Sequence, residues 1–71
     1  MYLWFKAERK DDILQGRTIK YVSERLLECG YAYLSLILQG KQYCSKRLAK
    51  DIVAIAGTNA KIEDYFELRE R

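Results

Sequence analysis

The stretch TIKYVSERLLECGYAYLSLILQGKQ, Thr18 to Gln42, decides how the rest of the chain is read. Thr18 offers a side-chain oxygen as an N-cap, and Ile19, Val22 and Leu26 follow at helical spacing with Leu27 beside them. The pattern breaks at Glu28-Cys29-Gly30, where a glycine serves either as the C-terminal turn of one helix or as a permissive cap for the next. It restarts at Tyr31 and runs to Gln39, with Leu34, Ile37 and Leu38 pointing inward, and Gly40-Lys41-Gln42 closes it. Two short helices joined by a tight break form the outline of a helix-turn-helix, a scaffold that presents one helix to a partner groove.

Working outward, the spacing of Leu3, Ala7, Lys10 and Leu14, widened by Ile13, predicts a first helix from about Leu3 to Gln15, stopped by Gly16. On the other side, Ser45 is placed to cap a helix whose apolar face is Leu48, Ala49, Ile52, Val53 and Ile55 or Ala56, with Gly57 as its stop. After the turn Gly57-Thr58-Asn59, the residues Ile62, Tyr65 and Phe66 repeat the spacing in a short fifth helix. A charged end, about 67 to 71, is expected to fray. The chain has no proline, no sustained strand-like alternation and no internal repeat. The expectation is an all-α fold: one compact five-helix domain spanning 1–71, its helix-turn-helix proper at about 18–39.

Seventy-one residues sit near the lower size limit at which a core alone sustains a fold, so no second domain fits. The apolar start, Met1 to Phe5, meets a charged run from Lys6 to Asp12 at once, which leaves no room for a signal-peptide core. Nor is there a membrane-spanning tract. Cys29 and Cys44 stand in no Cys-x-x-Cys pattern and are read as reduced thiols of a cytoplasmic protein. With no histidine and only these two thiols, no metal site and no cofactor is expected. The net charge is +3, but its distribution says more. Arg17, Lys20, Arg25, Lys41, Lys46, Arg47 and Lys50 face only Glu24 and Glu28 in that span, whereas the segment from Lys61 onward is acid-rich. The helix-turn-helix region is therefore the basic one, as a surface facing phosphates requires. Tyr31, Tyr33 and Tyr43 are more aromatic surface than so small a core takes in, so some of them are expected outside.

The run Tyr33-Leu34-Ser35-Leu36-Ile37-Leu38-Gln39-Gly40-Lys41, then Ser45, Leu48-Ala49, Ile52 and Ile62-Glu63-Asp64-Tyr65-Phe66, resembles the phage repressor and Cro-like (XRE-type) helix-turn-helix family. The resemblance covers about Thr18 to Phe66. It implies a lambda-repressor-like fold, a bacterial cytoplasm and a recognition helix at Tyr31 to Gln39. By the same resemblance, Tyr31, Ala32 and Tyr33 open that helix, Leu36 faces outward from its middle, and Gln39 lies near its end. Thr18, Lys20, Lys41, Gln42, Ser45, Lys46 and Arg47 would then approach phosphates. The chain departs from the pattern of that family at Ile19, where a glutamine usually braces against DNA. It departs again in one extra residue at Glu28-Cys29, and in carrying Tyr31, Ala32 and Leu36 where bases are commonly read.

Two functions follow as expectations. The first is a small transcription regulator that binds a double-stranded DNA operator with its third helix in the major groove, expected as a twofold homodimer on paired half-sites, with Tyr65, Phe66 and Leu68 as candidate dimer residues. The second is an antirepressor that uses the same helix face, rich in Tyr31, Tyr33 and Leu36, to grip a partner repressor protein. An enzyme is not expected. No histidine is available as a base, no Gly-rich phosphate loop is present, and the pairs Asp11-Asp12 and Glu63-Asp64 suit helix first turns.

Overall fold

The aromatic run at the start of the chain folds as a strand. The computed structural model describes residues 2–70, and in it Tyr2–Phe5 form β1, the middle strand of a three-stranded antiparallel sheet ordered β2-β1-β3. Strand β2 is Tyr43–Cys44 and β3 is Phe66–Arg69. The fold is therefore not all-α. Five helices lie around this sheet: α1 (Lys10–Leu14, after a tight 3-10 turn at Ala7–Arg9), α2 (Ile19–Tyr21, continued by a wider winding over Val22–Leu26), α3 (Tyr31–Leu38), α4 (Lys46–Ala56) and α5 (Ile62–Tyr65).

The expected helix from Leu3 to Gln15 is thus corrected to a strand, a turn and a short helix. Tyr, Trp and Phe suit a pleated surface, and pairing with two distant segments outweighs a helical stripe that Lys10 already interrupts. The register sets Leu3 opposite Cys44 and Leu68, and Phe5 opposite Phe66, so these share the core-side face of the sheet. Phe5, Cys44 and Phe66 are buried, the two phenyl rings meeting edge-on at 5.3 Å. Tyr2, Trp4 and Tyr43 share the other face, where Arg69 lies over the Trp4 ring at 4.7 Å. The tail expected to fray from about 67 is instead paired with β1 as far as Arg69; Arg71 lies outside the described residues.

The helices bury what their spacing implies in most places. Ile13, Val22, Leu34, Ile37, Leu38, Ala49, Ile52 and Val53 join the three sheet residues in one core. Ser45 accepts a hydrogen bond from the Leu48 N–H at 3.2 Å, capping α4, and Thr18 accepts one from the Tyr21 N–H at 3.0 Å, capping α2. One detail differs. Over Val22–Leu26 the winding widens, with the Leu27 N–H donating to the Val22 carbonyl at 3.0 Å, and the Cys29 N–H donating to the Ser23 carbonyl at 2.9 Å. The wider turn shifts the phase of the helix, so Leu27 is half-buried and Leu26, expected inside, is exposed. The extra residue noted at Glu28-Cys29 is taken up here, with Glu28 in the left-handed region at φ 51°.

Candidate nucleic-acid interface

Helix α3 is held from one side only. Leu34, Ile37 and Leu38 are fully buried, while Tyr31, Ala32, Tyr33, Leu36 and Gln39 are all exposed. Tyr31 keeps 54% of its surface in solvent and Leu36 keeps 42%. Gly30 precedes the helix in extended conformation, and no side chain caps the first amides of α3. At the other end the Gly40 N–H donates to the Ile37 carbonyl and the Lys41 N–H to the Leu36 carbonyl, both at 3.0 Å, the paired closure that needs a left-handed residue. Gly40, at φ 76°, supplies it, and the turn delivers Lys41 to the surface beside the helix end.

Two hollows flank this helix. One, of about 470 Å³, is lined by Thr18, Ile19, Lys20, Glu24 and Tyr31, where α2 meets the start of α3. The other, a larger open groove of about 880 Å³, meets α3 only at Tyr33 and is otherwise lined by the sheet, the start of α4 and α5, with Ser45 and Lys46 beside Leu3, Ile62 and Leu68 and the acidic Glu63 and Glu67. Of the residues read as phosphate contacts, the structure therefore groups Thr18 and Lys20 beside Tyr31, and Ser45 and Lys46 beside Tyr33. Lys41 and Arg47 are exposed, whereas Gln42 is half-buried at the threshold of β2.

The cations on this surface stand in no ion pair among the described residues, although Glu24 lines the smaller hollow with Lys20, and Glu63 and Glu67 line the larger groove with Lys46. Among the described residues the ion pairs are Arg9 with Asp12 and Arg69 with Glu67, so Lys20, Lys41, Lys46 and Arg47 have no carboxylate partner. Lys46 and Arg47 open α4, whose first turn holds no acidic residue. Cations at that end oppose the helix dipole, and an anion placed there removes the conflict. Polar groups on α3 itself are fewer. The Gln39 amide nitrogen donates to the Ser35 hydroxyl at 2.9 Å, leaving its carbonyl oxygen as the free end.

The thiols lie beneath this surface. Burial pushes Cys44 up to about 12 and also raises Cys29, while Tyr33 is raised by burial first and then by the neighbouring Cys44, Tyr43 and Cys29. Both cysteines remain protonated at neutral pH, as packing residues do. Sequence reasoning missed Tyr2 and Leu3 as lining of the larger groove, because they reach it through the sheet. It also missed Tyr21, exposed on α2 next to the buried Val22. No helix of the described residues is long and apolar enough to cross a membrane. No family model, curated protein or solved structure matches this chain.

Proposed function

We propose that the chain binds double-stranded DNA as a small transcription regulator, laying α3 in the major groove. The observation that carries this reading is the flanking arrangement: an outward helix face with Thr18 and Lys20 on one side, Ser45 and Lys46 on the other, and cations that stand in no ion pair among the described residues. A helix in the major groove has a phosphate backbone on each side, and α3 docked there would bring these groups towards it. Lys41 and Arg47 extend the same contacts. Base edges would meet the Tyr31 and Tyr33 hydroxyls and the Gln39 carbonyl oxygen, while Ala32 and Leu36 offer contact to a thymine methyl.

Binding of genomic fragments, followed by fluorescence anisotropy at several salt concentrations, tests the reading. Lys41→Ala and Lys46→Ala are each expected to weaken binding to every sequence alike and to lower the salt slope by about one. Absence of binding even at low salt removes the proposal. The exposed Leu36 in the middle of α3 favours a second reading, an antirepressor that docks this face on a partner repressor protein. Under that reading Leu36→Asp abolishes partner binding in a folded chain and leaves DNA out of account.

A further inference from the structure

Helix α2 changes its winding after Tyr21, and the change carries its own closure. The Leu27 N–H reaches back five residues to the Val22 carbonyl at 3.0 Å, where an α-helix reaches back four. Such a turn takes in one residue more, so every side chain beyond it stands one position late. Leu27 therefore packs against the core where an α-winding from the Thr18 cap would bring Leu26, and Leu26 keeps 41% of its surface in solvent. Two adjacent leucines compete for one place.

Ser23 holds the wide form. It is the one buried polar residue among the described residues, and it uses both of its ends on this turn. Its hydroxyl donates to the Lys20 carbonyl at 3.0 Å, and its own carbonyl accepts the Cys29 N–H at 2.9 Å. A serine bonded back to a carbonyl one turn earlier loosens and bends a helix, and here it does so where the winding widens. The opposing strain falls on Glu28, which the closure places in the left-handed region at φ 51°, where a Cβ is disfavoured. The nearest glycine, Gly30, stands two residues further on and is extended.

We propose that α2 is a one-residue register switch. In the wide state Ser23 closes the turn and Leu27 lies inward. In the second state the segment winds as an α-helix, Leu26 replaces Leu27 against the core, Glu28 leaves the left-handed region, and the surplus residue passes into the link that leads to Gly30. The exchange swaps like for like in the core, so packing favours neither state strongly. Closure by Ser23 and strain at Glu28 then set the balance. The start of α3 hangs on that link, and Glu24 and Tyr31 line one hollow across it, so the switch moves Tyr31 relative to Lys20. The inference stands apart from the DNA reading, because the exchange takes place in the free chain.

Nuclear magnetic relaxation dispersion at the Leu26 and Leu27 methyl groups and the Tyr31 ring, on the full chain without DNA, tests it. The wild type is expected to show one exchange process with a shared rate at all three, on the timescale of helix register shifts. Glu28→Gly relieves the wide state and should lower the population of the second state roughly two- to fivefold. Ser23→Ala removes the closing hydroxyl and should raise that population roughly fivefold. Deletion of Glu28 removes the surplus residue and should leave a single α-wound state, with Leu26 inside and no exchange. Should the deletion or Ser23→Ala fail to fold, the wild type and Glu28→Gly decide the matter. Flat dispersion at Leu26 and Leu27 in the wild type, a second state that Glu28→Gly does not deplete or Ser23→Ala does not enrich, or a folded deletion variant with Leu26 still in solvent overturns the proposal. Exchange that stops short of Tyr31 overturns its reach into α3.

Discussion

The helix-turn-helix segment and the three-stranded sheet hold one core by different means. Between Thr18 and Gly40 the contacts that shape the chain are local: a cap made three residues on, a widened helical turn, and a closure made by Gly40 and Lys41 on carbonyls of α3 itself. The sheet has no such support, since β1 meets partners near positions 43 and 67 and exists only once the chain has folded around it. The difference assigns separate tasks. Local bonding fixes the direction and length of α3, and the sheet ties both ends of the chain to the core on which α3 rests.

Breaking each region in turn gives the largest expected effects. Phe5→Ala removes the ring that meets Phe66 and should cost about 3 to 5 kcal/mol, while Leu34→Ala or Ile52→Ala should cost about 2 to 5 kcal/mol. Either is a large share of the stability available to so small a domain. Denaturant titration followed by circular dichroism checks both. Equal loss of all helical signal in Phe5→Ala and Leu34→Ala supports a single cooperative core; a Phe5→Ala protein that keeps its midpoint would make the sheet an appendage.

The next effect is on pH. Cys44 is raised from an ordinary value near 9 to about 12 in the folded chain by burial. A thiol raised in this way favours the folded state at low pH, and its contribution, complete below about 9, is lost as pH climbs towards about 12, because the unfolded chain sheds the proton first. Tyr33, raised from 10, acts in the same sense at higher pH. Unfolding midpoints measured from neutral to alkaline pH should therefore decline, and Cys44→Val should flatten the first part of the decline. An unchanged profile in Cys44→Val would show that the thiol is not protected in the sheet.

Backbone strain separates the two regions more finely. Glu28 sits at φ 51° and Gly40 at φ 76°, one a poor and one a good residue for the left-handed region. Gly40→Ala should destabilise by about 1 to 2 kcal/mol, although a Cβ there meets the Phe5 carbonyl oxygen only at 3.6 Å, an ordinary contact. Glu28→Gly should stabilise by roughly 0.5 to 1 kcal/mol. Thermal melts of the two variants should shift in opposite directions; a shared direction would mean that the break between α2 and α3 is not wound as described.

These numbers also explain what the sequence could disclose. Caps, stops and inward residues of α3 and α4 were legible because each is signalled by neighbours within a turn or two. The sheet was not. Tyr2–Phe5 is too short for alternation to show, β2 is two residues long, and Glu67-Leu68-Arg69 reads as a charged tail because its partner is at the other end of the chain. At the candidate interface the same logic applies: the periodicity that sends Leu34, Ile37 and Leu38 inward sends Tyr31, Tyr33 and Leu36 outward, but nothing local reveals that Tyr33 and Lys46 border a groove shared with Tyr2 and Leu68. The phase shift that exposes Leu26 was hidden too, since a widened helical turn leaves no mark on composition.

The smallest expected effect is at Gln39. Gln39 is exposed, and its amide nitrogen donates to the Ser35 hydroxyl one turn earlier, a pair worth about 0.2 to 0.5 kcal/mol on a helix surface. Gln39→Ala should leave the melting curve almost unmoved, whereas Ser45→Ala, which removes a cap, should cost about 1 kcal/mol. If α3 binds DNA as proposed, the two substitutions should reverse their order in DNA binding. Ser45→Ala would weaken all sequences alike, acting where the backbone is gripped, and Gln39→Ala would change the preference among sequences, acting where its anchored amide aims a carbonyl oxygen at base edges. A stability loss in Gln39→Ala without any change of preference would put Gln39 among the residues that shape α3 and take it out of the interface.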